Sequence, residues 1–153
     1  MSRRTARKGV FRALFSKIFL EEPEFIKSMD LAFSEDAVIW FEENENEESL
    51  LNDLSERDRI FFTELIKGTM DNLDRINEVI EENLKSWNIK RIAKTDLAIL
   101  QLAVYEILYR EDIPDSVVIN EAVDLGKEHG TDDSGSFING VLGRIVREYK
   151  QGS

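Results

Sequence analysis

Between Phe61 and Leu84 the apolar residues return every three or four positions: Phe61, Phe62, Leu65, Ile66, Met70, Leu73, Ile76, Val79, Ile80 and Leu84. That spacing lines one side of an α-helix and does not suit a strand, whose successive side chains alternate between two faces. The same rhythm recurs in Leu100, Ala103, Val104, Ile107 and Leu108, then in Val118, Ile119, Ala122, Val123 and Leu125. Phe137, Ile138, Val141, Leu142, Ile145 and Val146 carry it to the end. Only two prolines and eight glycines interrupt the 153 residues. The pattern predicts an all-α protein of six or seven helices, long enough to bury one core as a single domain.

Local punctuation sets the expected boundaries. Val10, Phe11, Leu14, Phe15, Ile18 and Phe19 share one side of a first helix. Pro23 restarts the chain, and a helical pattern follows from Glu24 to about Phe41. The run from Glu42 to Glu48 is densely negative and lacks the spacing and glycine of a calcium loop, so it reads as a solvated linker. Ser55 with Asp58 three residues later is a helix start, and the long pattern behind it reaches Trp87 with a bend expected near Gly68. Thr95 is placed to cap the next helix, Pro114 to open another, and Gly130 to end it. Ser134 or Ser136 caps the last.

Charge is distributed unevenly. The first twenty residues hold Arg3, Arg4, Arg7, Lys8, Arg12 and Lys17 and no carboxylate, whereas the other 133 hold fourteen basic and thirty-one acidic groups. A basic end on a chain of net charge −11 points to an anionic partner, nucleic acid or a membrane surface. Arg3, Arg4, Arg7 and Lys8 fall in nearly the sector that the phenylalanines occupy two turns later. The first two turns are therefore expected to run past the edge of the core. Guanidinium forks match phosphate, and aromatics nearby can stack on unpaired bases. A membrane reading would need the same phenylalanines that the core needs, and the acidic body would be repelled by anionic lipid.

Catalytic chemistry has little to work with. No cysteine is present, which removes disulfides and thiol nucleophiles and fits a reducing cytosol. The single histidine, His129, sits in the last turn of an expected helix, where it complements the dipole. There is no glycine-rich phosphate loop, no metal-ligand spacing and no nucleophile motif. Glu21-Glu22 and Asp132-Asp133 read as solvated or capping carboxylates. No apolar run approaches a membrane span, and the charged start has no cleavage site of a signal peptide. The chain is expected to be neither an enzyme nor a holder of cofactor or metal.

Several segments resemble one family. Arg3-Arg4-Thr5-Ala6-Arg7 is similar to the arginine-rich opening of the NusB family of bacterial transcription antitermination factors. Ile92 to Leu108 resembles the family's central helix. Asp112-Ile113-Pro114, the run Val118 to Lys127, Gly130 to Ser134 and Phe137 to Leu142 follow in the family's order. The resemblance implies two small helical subdomains, with halves at 1–86 and 87–153, in a cytoplasmic, non-catalytic protein. It implies binding of single-stranded boxA RNA together with the ribosomal protein NusE, within the RNA polymerase antitermination complex. Carried over residue by residue, it gives Arg3, Arg4, Arg7 and Lys8 to RNA phosphates and base edges. Phe15 becomes a stacking face without the hydroxyl that relatives often carry, Asp133 and Phe137 border the RNA, and Asp96 faces NusE. Homodimerisation is left open, since some relatives pair through helical surfaces. Two alternatives remain: an accessory protein related to the domain that precedes some ribosomal RNA cytosine methyltransferases, and an acidic helical adaptor that binds only protein.

Overall fold

The computed structural model describes residues 2–19, 55–85 and 88–150. Among them are six helices and no strand: α1 (Ser2–Phe19), α2 (Glu56–Asp71), α3 (Leu73–Glu82), α4 (Lys94–Tyr109), α5 (Asp115–His129) and α6 (Ser134–Lys150). The expected helix at 24–41 and the acidic 42–48 run lie outside the described residues. So do Ser86 and Trp87, where the expected halves meet. The chain forms two compact units, Met1–Lys67 and Gly68–Ser153.

In the first unit, α1 buries Ala6, Val10, Phe11, Ala13 and Leu14, while Phe15 and Ile18 are half-buried. The buried face thus begins at Ala6 and Arg7, a turn before the expected switch from basic to apolar. α2 starts as its sequence dictates. The Asp58 amide donates to Ser55 Oγ (3.2 Å) and the Ser55 hydroxyl donates back to the Asp58 carboxylate (2.7 Å), a reciprocal cap for otherwise orphaned donors.

The long apolar pattern does not form one helix. It breaks at Asn72, four residues after the expected bend at Gly68. The Asn72 backbone amide (3.2 Å) and side-chain amide (2.8 Å) both donate to the Gly68 carbonyl, so a short polar side chain competes locally with the helical ladder.

α4 is the centre of the second unit, and α3, α5 and α6 all pack on it. From Ala98 to Ile107 every residue is buried, which explains why its sequence is apolar almost all round. The exceptions are Glu106, 2% exposed, and Gln101, whose Nε2 donates to Asn77 Oδ1 of α3 at 3.0 Å. Gly68 is fixed by proximity, because a Cβ there would lie 2.2 Å from Tyr105 Cζ. The cap of α4 differs from expectation. Ala93 (φ −58°, ψ 139°) is the N-cap, without a side-chain bond, and Thr95 falls inside the first turn.

The ends of the unit are tied by polar groups. Arg144 of α6 donates through Nε (3.1 Å) and Nη2 (2.7 Å) to the Asn83 carbonyl, which the end of α3 would otherwise leave unsatisfied. Pro114 opens α5 as expected. Gly130 does end it, but with φ −98° and ψ −155° it is extended rather than left-handed. Its glycine is demanded by space instead: a Cβ would meet Ser134 Oγ at 2.2 Å and the Gly126 carbonyl oxygen at 2.8 Å. No helix among the described residues is long and apolar enough to cross a membrane.

Candidate functional site

Each unit contributes one candidate feature. In the first, α1 begins without any acidic residue in its opening turn. Cations there oppose the helix dipole, at a cost of about 0.3–1 kcal/mol each when exposed, so they favour an anion close by. Arg3 and Arg4 are exposed and Lys8 is half-buried. Arg7 is only 4% exposed. Its guanidinium carbon lies 5.3 Å from the centre of the Phe61 ring of α2, and that of Arg3 lies 4.4 Å from the same ring. Both distances are within cation–π range. Phe15 sits beside Phe11, ring centres 6.0 Å apart, and keeps part of its surface open.

In the second unit a cavity of about 220 Å³ is lined by Arg91, Ile92, Ala93, Asp96, Thr131, Asp133 and Phe137. Three of the residues singled out from sequence thus meet in one place. Asp133 is exposed at the rim and Phe137 is half-buried. Asp133's amide donates to Thr131 Oγ1 (3.3 Å) and its carbonyl accepts the Phe137 amide (3.0 Å), so the loop runs directly into α6. Ser134, 1% exposed, ties two of the lining residues together. Its Oγ accepts the Thr131 amide (2.9 Å), and its hydroxyl hydrogen-bonds the Asp96 carboxylate.

Asp96 was expected to face a protein partner, yet it is 7% exposed. Burial pushes its carboxyl above the usual carboxylate range, and the Ser134 hydrogen bond opposes that shift. Oδ1 of Asp96 is buried with no hydrogen-bond partner among the described residues. The cavity thus brings two carboxyl groups, Asp96 and Asp133, beside an aromatic ring and a guanidinium. His129 is the last residue of α5, its Nε2 3.7 Å from a Glu128 carboxylate oxygen, and it lines neither feature.

Two contributors went unnoticed in sequence. Phe61 reads there as one more core position. Arg91 had a visible signal, the Lys90-Arg91 pair just ahead of a helix.

The family model for NusB matches residues 4–147, nearly the whole chain. The chain belongs to the NusB family. The transcription antitermination protein NusB of Clostridium tetani is 38% identical over 153 residues, covering 97% of this chain and 99% of that protein. That of Acetivibrio thermocellus is 50% identical over 95 residues, 62% of this chain and 66% of that protein. Among solved structures, NusB of T. maritima superposes with a TM-score of 0.74 at 34% identity, covering 95% of this chain and 91% of that one. The fold is also that of the NusB in a complex of antitermination factors NusB and NusE with double-stranded RNA (TM-score 0.73, 23% identity, 97% and 98% covered). NusB homologues thus bind NusE and RNA. Membership in the NusB family makes this chain a non-catalytic transcription antitermination protein of the bacterial cytoplasm, with the all-helical NusB-like fold.

Proposed function

We propose that this chain binds boxA-type single-stranded RNA together with NusE and joins the RNA polymerase antitermination complex. The observation that supports it most is the exposure of Arg3 and Arg4 at a helix start with no acidic neighbour in that turn. These two and Lys8 hold phosphates, while Arg7 adds positive potential from its buried position. Phe15 offers its open edge to a base. At the cavity, a base rests on Phe137 near Asp133, with the Asp96 carboxyl among the lining groups. The acidic body faces the basic ribosomal protein. With binding energy divided between two partners, RNA binding is weak alone and tightens when NusE is docked.

Titration of a short boxA RNA, with and without NusE, at several salt concentrations tests this. Three phosphate-binding cations give a log–log salt slope of roughly −2, and four give roughly −3. Arg3→Ala is expected to weaken binding and flatten the slope by about 0.7. An unchanged slope and affinity would remove the basic helix end from the mechanism. Salt-insensitive or absent RNA binding by the folded wild-type chain would instead favour an adaptor that binds only protein.

A further inference from the structure

Phe61 lies in α2, carries no charge and is 4% exposed, so nothing about it advertises a part in RNA binding. Yet two guanidinium groups from successive turns of α1 converge on its ring, Arg3 at 4.4 Å and Arg7 at 5.3 Å from the centre. The π-electron density of that ring attracts both cations. The two arginines differ in what remains available. Arg7 is almost wholly covered, whereas Arg3 is exposed.

A guanidinium resting by its flat face on an aromatic ring keeps its N–H groups in the plane, pointing away from the ring edge, where they match the oxygens of a phosphodiester. A long arginine side chain otherwise loses about 2 kcal/mol of rotamer entropy when it is fixed by a ligand. A ring that fixes it beforehand removes part of that cost at the moment of binding.

We infer that Phe61 is a positioning residue for RNA: it preorders the Arg3 guanidinium for a backbone phosphate, with Arg7 as a second, buried cation within reach of the same ring. The inference rests on the RNA-binding reading above and names the residue behind its first contact. Arg3 then contributes through geometry as well as charge.

The decisive set is wild type, Phe61→Leu, Phe61→Tyr, Arg3→Lys, Arg3→Ala and the double variant Arg3→Ala/Phe61→Leu, each titrated with the boxA RNA and each melted thermally. Phe61→Leu keeps apolar bulk and loses the ring. Its RNA Kd is expected to rise about five-fold, the scale of one cation–π contact, with its salt slope preserved. Phe61→Tyr should bind within two-fold of wild type. In the Arg3→Ala background Phe61→Leu should add nothing, because the partner it orders is gone. Arg3→Lys, an exposed change that leaves the core untouched, keeps the charge and should weaken binding as much as Phe61→Leu does. Wild-type affinity in Arg3→Lys, or an equal loss from Phe61→Leu with and without Arg3, would overturn the inference while leaving RNA binding in place. A wild-type chain that binds no RNA would overturn the RNA reading itself, and the inference with it.

Discussion

Gly130→Ala is expected to lower the melting temperature by roughly 5–10 °C, since overpacking at a tight site costs about 2–3 kcal/mol and each 1 kcal/mol shifts a chain of this size by about 2–4 °C. The added Cβ would lie 2.2 Å from Ser134 Oγ, 2.7 Å from its Cβ and 2.8 Å from the Gly126 carbonyl oxygen. Ser134 cannot simply turn aside. Its hydroxyl oxygen receives the Thr131 amide and its hydrogen is engaged by Asp96. Moving it leaves a buried carboxylate with less support. Thermal unfolding of Gly130→Ala, Ser134→Ala and the double variant checks the cause. The double should be more stable than the sum of the singles predicts, because removing the hydroxyl removes one clash. Strict additivity would mean that Gly130 is needed for some reason other than Ser134.

Asp96→Asn is expected to do the opposite to stability and to harm binding. Burial raises the Asp96 carboxyl, so the folded state holds its proton more tightly than the unfolded chain does. Stability then falls as pH rises from the ordinary aspartate value through the raised one, and the cost persists at neutral pH. The amide carries no charge to bury. At pH 7 the variant should be more stable by about 1 kcal/mol, the low end for a buried acceptor without a partner, or roughly 2–4 °C in melting temperature. The gain should shrink as pH falls toward the ordinary carboxylate range, where the wild-type group becomes neutral as well. In RNA titrations the same variant should bind several-fold more weakly. A group kept at a cost to the fold is what a binding site looks like when function and stability compete. A stabilised variant with unchanged affinity for both RNA and NusE would make Asp96 a structural residue only.

The helices were legible because apolar spacing is a local signal, and so were the Ser55–Asp58 cap and the start at Pro114. The break at Asn72 was not, since the apolar rhythm runs straight through it and only the competing side-chain amide interrupts the backbone. Gly130 was placed correctly as the end of its helix, but what demands the glycine there is an extended residue pressed against a serine, which no local pattern shows. Thr95 misled because a good capping residue stood two positions too late, while Ala93 caps with its backbone alone. At the candidate site the basic segment stood out by composition. What could not be read was that Phe61 would lie beneath Arg3 and Arg7, or that Asp96 would meet Asp133 and Phe137 around one cavity. Both depend on contacts between residues far apart in the chain, which no periodicity records.

The wrapping of α4 by three other helices also bears on how the second unit comes together. Its contacts with α5, and those of α5 with α6, join elements adjacent in the chain, so little loop entropy stands in their way. The Arg144 link to Asn83 spans 61 residues and rewards assembly only once α6 has arrived. Folding can therefore gather around α4 from its C-terminal side and fasten α3 afterwards. In amide hydrogen exchange, the amides of α4 should be the last to open and the turn at Asn83 among the first.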